Sequence, residues 1–186
     1  MSISEFKPTI FFLLKFVGIY IIGNLLYGVY ITSYEPTVDP LTHSVTAQTA
    51  IVLNVCGYPV QVEDRATKPT SDISYLGTGK LAVYEGCNGI NTMIIFVAFV
   101  VAFGPTSITM LWFIPLGLVL IHFVNLLRIT LLFLVSEHIP KAMYFTHKYF
   151  FTAIIYVVIF CLWLWWVRVY AKGGMKHKPN PDQGID

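Results

Sequence analysis

The order of apolar and polar positions divides the chain into four long apolar runs separated by shorter polar segments. These runs cover residues 10–31, 87–103, 108–135 and 149–167. A helix needs about 20 apolar residues to cross the hydrocarbon core of a bilayer, and the runs approach or exceed that length. The pattern therefore predicts an all-α polytopic membrane protein with about four transmembrane helices in a bundle.

The polar stretch between the first two runs, residues 33–86, is called the insertion here and has a pattern of its own. Apolar and small polar residues recur at helical spacing from Val45 to Cys56, and Gly57 follows them. This spacing predicts a short helix that lies at the membrane surface and ends at the glycine.

The second half of the insertion has the pattern of a small β-ribbon. Residues 59–63 and 80–85 alternate apolar and polar side chains, as two strands with one buried face do. Residues 67–79 between them are rich in Thr, Ser, Pro and Gly, which predicts a mobile loop.

Composition supports a membrane protein and excludes several other classes. Of the 186 residues, 56% are hydrophobic and 12% are charged, against about 25% charged residues in a soluble domain. The net charge is +2 without a run of basic residues, so we expect no nucleic-acid partner. We expect one domain over residues 1–172, with the lipid bilayer as its partner, and a disordered cytoplasmic tail over residues 173–186.

Charge also predicts the orientation of the bundle. Basic residues flank both chain ends, whereas the insertion holds three basic residues against six acidic ones. Because basic flanks stay in the cytoplasm, and four spans return the chain to its starting side, both termini should be cytoplasmic. The expected location is the cytoplasmic (inner) membrane, with the insertion on the extracytoplasmic side and no cleavable signal peptide.

Three chemically capable side chains converge under this topology. Arg128 is the only charged residue within the third run, Cys87 begins the second run, and His147 precedes the fourth. The predicted spans place all three at the same depth, on the extracytoplasmic side of the bundle. Charged groups within spans usually face protein or water, so the sequence predicts a shared site there.

The chemistry of these residue types fits a nucleophilic site. A thiol at a helix N-terminus beside a cation is expected to have a lowered pKa, which makes Cys87 a candidate nucleophile. His147 can transfer a proton, and Arg128 can hold an oxyanion or a substrate carboxylate. Gly86 and Gly89 would let the backbone approach a substrate carbonyl closely.

Other interpretations remain open at this stage. His138 is a rival proton carrier at the same depth, and His122 is predicted to form a hydrogen bond between helices. Cys56 and Cys161 are expected to be small buried apolar side chains. Each of the three candidates also has a structural interpretation: a buried thiol, an arginine reaching the headgroups and an interfacial histidine.

Two sequence boxes carry a resemblance to a known family. The segment Glu85-Gly86-Cys87-Asn88-Gly89-Ile90, the segment Asn125-Leu126-Leu127-Arg128-Ile129 and then His147 resemble the exosortase/archaeosortase family. Members of that family are polytopic membrane cysteine transpeptidases. The resemblance covers residues 81–167, and the compact size is similar to the short exosortase subtype F.

The resemblance implies a function and a set of site residues. Cys87 would be the catalytic nucleophile, with Arg128 and His147 completing the site. Supporting residues would be Glu85, Gly86, Asn88, Gly89, Asn125 and His138. Many members have Ser where this chain has Asn88, and an acid where it has Lys148. No metal or cofactor is implied.

The implied reaction is a cysteine-type transpeptidase or endopeptidase reaction on exported proteins. Its substrates would carry a C-terminal motif, one transmembrane helix and a basic cluster. Cleavage at the outer face would form a thioester that passes to a surface glycan or lipid acceptor. The alternative is a non-catalytic membrane scaffold or assembly factor for surface-protein export. A transporter is disfavoured, because the polar residues gather at one face instead of the midplane.

Overall fold

The structure, a computed structural model, describes residues 3–104 and 108–175, with side chains for 6–104 and 108–168. Its helices are α1 (Ile3–Thr32), α2 (Pro40–Val55), α3 (Ile90–Phe103), α4 (Ile108–His138), α5 (Met143–Phe145) and α6 (Phe151–Met175). Its strands are β1 (Val60–Asp64), β2 (Thr70–Tyr75) and β3 (Thr78–Tyr84). Short 3₁₀ turns cover Glu85–Cys87 and Pro140–Ala142, and a π-helical turn covers Thr146–Phe150.

Helices α1, α3, α4 and α6 form a bundle. Near the start of α1, Phe12 packs edge-to-face on Phe99 of α3, with ring centroids 5.7 Å apart. Near its end, Tyr27 meets Asn88, just before α3, so α1 and α3 run antiparallel. Trp163 of α6 stacks on Phe99 at 4.4 Å. The start of α1 and the later part of α6 therefore share one end of the bundle, called the terminal end here, and the insertion lies at the opposite end, called the insertion end.

Among residues 3–104 and 108–175, three helical segments are long and apolar enough to cross a membrane: Phe6–Thr32, Ile108–His138 and Pro140–Arg168. Helix α3 is shorter, with 14 residues, and at about 1.5 Å per residue it is shorter than a hydrocarbon core of about 30 Å. The fold is the predicted all-α polytopic bundle. However, α3 begins at Ile90, three residues after the predicted start of the second span at residue 87.

Two residues before α3 explain this difference. Gly89 has a φ of +86°, in the left-handed region that a helix interior excludes. The side chain of Asn88 accepts a hydrogen bond from the backbone N–H of Ile90 at 3.0 Å, which caps the new helix. The chain therefore turns after Cys87, and α3 begins at Ile90.

Close packing between α3, α4 and α6 holds the bundle together. Phe96, Phe113 and Trp166 are buried in a core shared by α3, α4 and α6. Gly117 of α4 lies directly against the ring of Phe96, where a side chain would not fit. By contrast, large apolar side chains along α1 are exposed, as expected for a helix face covered by lipid.

The predicted helix of the insertion is confirmed as α2. The carboxylate of Asp39 accepts hydrogen bonds from the N–H groups of Leu41 and Thr42, both at 3.0 Å, and so caps its start. Gly57, with a φ of +89°, follows its end. One face of the helix is buried, and it is formed by Thr42, Val45, Thr46, Thr49, Ala50 and Leu53.

The insertion holds a three-stranded antiparallel sheet instead of a two-stranded ribbon. Strand β2 pairs with β1 on one side and β3 on the other, so the prediction of a mobile loop over residues 67–79 is wrong. Ile73 is the only buried aliphatic residue of β2, which explains why the sequence of this strand shows little alternation of apolar and polar side chains. Ser71 is also buried, and its hydroxyl is satisfied there because it donates to the Asp64 carboxylate of β1 at 2.6 Å.

The sheet and α2 pack on the second half of α4. Ile73, Val83, Ile129 and Phe133 belong to one buried cluster that also contains Cys87. The hydroxyl of Ser136 donates to the Lys80 carbonyl oxygen at 2.8 Å, and the Lys80 ammonium pairs with Glu137 at 3.0 Å. These contacts fix β3, and therefore the turn that follows it, against α4.

Helix α6 continues through Met175, so the first three residues of the predicted disordered tail, 173–175, are helical. The remainder of that tail, 176–186, lies outside the described residues.

Candidate active site

The turn that carries Cys87 is anchored by the fully buried side chain of Asn88. Its amide nitrogen donates to the Tyr27 hydroxyl at 2.7 Å and to the Thr42 hydroxyl at 2.9 Å. Its amide oxygen accepts from the N–H of Ile90. The side chain of Asn88 therefore connects the turn to α1, α2 and α3, and both its amide nitrogen and its amide oxygen have hydrogen-bond partners within the protein.

A second buried amide holds the backbone of the cysteine itself. Asn125 of α4 donates from Nδ2 to the carbonyl oxygen of Cys87 at 2.9 Å. Gly89 lies so close to Asn125 that a Cβ there would lie 3.1 Å from its Cγ. The carbonyl of Glu85 accepts from the Tyr27 hydroxyl at 3.4 Å. These residues support the turn through main-chain contacts.

The structure brings His147 to the thiol. Cys87 Sγ and His147 Nε2 are 3.8 Å apart, a hydrogen-bond distance for sulfur, although 60 residues separate them in sequence. His147 lies in the π-helical turn before α6, and such turns are frequent at functional sites. The Thr152 hydroxyl donates to the His147 carbonyl oxygen at 3.3 Å and helps to hold this turn.

His138 and His122 have different partners. His138 Nε2 lies 2.9 Å from the Tyr58 hydroxyl, on an exposed surface at the end of α4. The geometry therefore favours His147 over His138 as the proton carrier. His122 Nε2 lies 2.7 Å from Gln48 Oε1, which confirms the predicted hydrogen bond between helices and joins α4 to α2.

The Cys87 thiol is only 6% exposed and lies among apolar side chains, including Val83, Ile129 and Leu132. This burial raises the pKa of Cys87, and the nearby positive charge of Arg128 offsets the effect only in part. The expectation of a lowered thiol pKa is therefore wrong. The turn buries the sulfur in apolar surroundings, and the cost of desolvating a thiolate exceeds the favourable charge.

Arg128 offers an unused hydrogen-bond donor beside the turn. Its Nε is buried and has no hydrogen-bond partner among the residues that the structure describes. Its side chain shares a cavity of about 210 Å³ with Gly86, Asn91, Thr92 and residues of α6. A buried guanidinium N–H without a partner is costly, so this donor is available to a ligand group.

A second cavity, of about 440 Å³, lies on the His147 side. Its lining includes Tyr84, Tyr144, His147 and Lys148. The Lys148 ammonium donates to the Tyr144 hydroxyl at 2.8 Å. The first cavity therefore reaches the turn at Gly86, and the second reaches the His147 imidazole.

Sequence reasoning missed Tyr84, which packs its ring against Gly86 beside Cys87 and lines the same cavity as His147. A phenol three residues before a candidate nucleophile was the available signal. The expectation that Cys56 and Cys161 are buried is also wrong, since both are exposed, Cys161 on the outer face of α6.

Fold and site together define a polytopic helical membrane protein with a partly buried thiol–imidazole pair at the insertion end of its bundle. The family model for transmembrane exosortases matches residues 8–166, which is most of the chain. The chain therefore belongs to the transmembrane exosortase family, whose members are membrane proteins of sorting-signal processing. No curated protein and no solved structure matches it. Similarity to subtype F stays a prediction.

Proposed function

We propose that this protein is a membrane-embedded cysteine transpeptidase or endopeptidase that cleaves the C-terminal sorting signal of exported proteins. Cys87, His147 and Arg128 are its catalytic residues. The observation that carries the proposal is the 3.8 Å contact between Cys87 Sγ and His147 Nε2 in a chain of the transmembrane exosortase family.

The first step requires a base, because burial raises the pKa of Cys87 and keeps the resting thiol protonated. His147 accepts the thiol proton as the sulfur attacks the scissile carbonyl carbon. A C–S bond forms, and the carbonyl π electrons move to oxygen, which becomes an oxyanion. The short path between sulfur and imidazole supports direct transfer.

Arg128 is suited to stabilise that oxyanion. Its unpartnered Nε donor lies beside a cavity that Gly86 also lines, so a substrate carbonyl in this cavity would meet the donor next to the turn of Cys87. A fixed cation with little water around it is worth more to the developing charge than one in bulk solvent.

In the second step the oxyanion collapses, the C–N bond breaks, and His147 returns its proton to the leaving amine. The product is a Cys87 thioester. An acceptor nucleophile then gives its proton to His147 and attacks the thioester carbon. The C–S bond breaks, and the sulfur leaves as a thiolate that recovers the proton from His147. A surface glycan or lipid is the proposed acceptor, and water would give hydrolysis.

The proposed substrates carry a C-terminal motif, a transmembrane helix and a basic cluster. Their helix would lie in the bilayer beside the bundle, which places the motif near the insertion end. The proposed setting is the cytoplasmic membrane, with the active site on the extracytoplasmic side. The basic chain ends and the acidic insertion support this orientation.

The test is co-expression with a protein that carries such a C-terminal signal. Cys87→Ala should abolish processing while the variant protein still accumulates in the membrane. Cys161→Ala is the matched control, because that thiol is exposed on α6 away from the site. Unimpaired processing by Cys87→Ala would contradict the catalytic assignment and favour the scaffold alternative.

A further inference from the structure

Tyr84 occupies an unusual place for a large aromatic residue. It ends β3, is 41% exposed, and lines the 440 Å³ cavity together with His147. Its ring lies against the backbone of Gly86, where even a methyl group would clash. The absence of a side chain at Gly86 is therefore what allows the phenol to fold back over the turn that carries the thiol.

The ring of Tyr84 lies over Gly86, the residue that precedes Cys87, and Tyr84 lines the same cavity as His147. Hydrogen bonding from Tyr84 offsets part of the rise in the pKa of Cys87 that burial causes. The sulfur thus has Tyr84 and His147 as neighbours, and both side chains also reach the same cavity. Of the two, only the imidazole changes its protonation readily near neutral pH.

We propose that Tyr84 is a further catalytic residue, whose hydroxyl donates a hydrogen bond to the Cys87 sulfur and stabilises it whenever it carries negative charge. The catalytic part of this inference rests on the proposed function. The hydrogen bond itself is a property of the free protein and can be tested without a substrate.

The chemistry requires such a donor at two moments. Negative charge forms on the sulfur when His147 removes its proton, and again when the thioester breaks and the thiolate leaves. Both events occur in an apolar, buried place, where a charge without a hydrogen bond is costly. A hydrogen bond to an ionised acceptor is stronger than one to a neutral acceptor, so the contact favours the thiolate over the thiol.

The phenol remains a donor throughout. The charge of the Cys87 thiolate raises the pKa of Tyr84, so its hydroxyl keeps its proton while the sulfur is ionised. The proton therefore travels between sulfur and imidazole, and Tyr84 takes no part in that transfer. The two roles therefore differ: His147 transfers the proton, and Tyr84 donates a hydrogen bond.

The competing explanation is that Tyr84 only packs on Gly86. Tyr84→Phe distinguishes the two, because it keeps the ring and removes only the hydroxyl. Tyr144→Phe is the matched control: Tyr144 lines the same cavity, but its hydroxyl contacts Lys148. Both variants are made in a full-length background with Cys56→Ser and Cys161→Ser, so that Cys87 is the single thiol.

The measurement is the rate of iodoacetamide alkylation of Cys87 across pH, on protein purified in detergent. Tyr84→Phe should move the midpoint to higher pH and slow the reaction about tenfold at a fixed pH near 8, as expected for the loss of a hydrogen bond to a charged group. Tyr144→Phe should follow the parent profile. A Tyr84→Phe profile that coincides with the parent would overturn the proposal.

A second readout separates this inference from the proposed function. In the co-expression assay, Tyr84→Phe should slow processing while Tyr144→Phe does not. If Cys87→Ala still processes the substrate, the proposed function fails, yet a shifted alkylation profile would retain the Tyr84 hydrogen bond. If Cys87→Ala is inactive and Tyr84→Phe processes at the parental rate, the catalytic role of Tyr84 fails alone.

Discussion

The ionisation of Cys87 depends on effects that act in opposite directions. Burial among apolar side chains raises the pKa of the thiol, and the charge of Glu85 adds to this effect. The positive charge of Arg128 and the hydrogen bonds from Tyr84 lower it. Burial dominates, so the thiol rests in its neutral form and needs a base when a substrate arrives.

Replacement of Arg128 by Gln should raise the pKa of Cys87 further, since it removes a charge that favours the thiolate. The pH midpoint of Cys87 alkylation should move upward, measured in the single-thiol background. Arg168→Gln is the control, because Arg168 lies on an exposed position near the terminal end. An unchanged or lowered midpoint for Arg128→Gln would show that Arg128 does not act on the sulfur.

Asn125→Leu should destabilise the turn and slow processing. The variant removes the N–H that the Cys87 carbonyl accepts, and a buried carbonyl without a partner costs about 1–3 kcal/mol. We expect a lower thermal midpoint in detergent. Asn24→Leu is the control, since Asn24 is half-buried on α1 and its amide donates to the Tyr20 carbonyl oxygen of the same helix. Equal midpoints for the two variants would refute this role of Asn125.

At the residue scale, the sequence was sufficient to predict the convergence of Cys87 and His147. Each follows from its position relative to an apolar run, which fixes depth without knowledge of packing. The role of Tyr84 was not predictable in this way. Its contact with the thiol depends on the close approach to Gly86, which is a property of the folded turn.

At the scale of elements, sequence patterns correctly predicted the elements that are stabilised by interactions between residues close together in the sequence. Helix α2 has both a cap at Asp39 and a glycine stop at Gly57, and it was predicted correctly. Strand β2 has little apolar pattern, because its stability comes from hydrogen bonding to a strand on each side. Helix α3 begins later than predicted because Asn88 forms hydrogen bonds with Tyr27 and Thr42, which are distant in sequence. An apolar run does not reveal such bonds.

The contact between α3 and α4 gives a prediction for an element. Gly117→Ala places a methyl group against the buried ring of Phe96, so the helices must separate or the ring must move. Overpacking of this kind costs about 1–3 kcal/mol, and the thermal midpoint in detergent should fall.

The control for this prediction is Gly28→Ala on α1, where a Cβ meets no atom within 4 Å. Alanine favours a helix over glycine by about 0.5–1 kcal/mol, so the control should keep or raise the midpoint. If Gly117→Ala were as stable as Gly28→Ala, the close packing of α4 on α3 would be refuted.

At the scale of the whole molecule, the insertion and the bundle meet at the candidate active site. The turn of Cys87 connects β3 of the insertion to α3 of the bundle, and the buried cluster around the thiol contains residues of both. The start of α1 and the later part of α6 lie at the opposite, terminal end. The proposed orientation therefore determines on which side of the membrane the thiol reacts.

Thiol labelling in intact cells tests that orientation. Cys56 is exposed on the insertion, so in a variant that keeps only this thiol, a membrane-impermeant maleimide should label it from outside. A matched variant with Lys7→Cys as its only thiol should be labelled only after permeabilisation, because position 7 is exposed near the start of α1. The reverse pattern would contradict an extracytoplasmic active site.

The central claim is that Cys87 carries the substrate as a thioester, and the most direct measurement is capture of that intermediate. Membranes containing this protein and a co-expressed sorting-signal substrate are denatured, and peptides containing Cys87 are analysed by mass spectrometry with and without hydroxylamine. We expect a substrate fragment on Cys87 that hydroxylamine releases and that Cys87→Ala lacks. Active processing with no hydroxylamine-sensitive adduct on Cys87 would contradict the account.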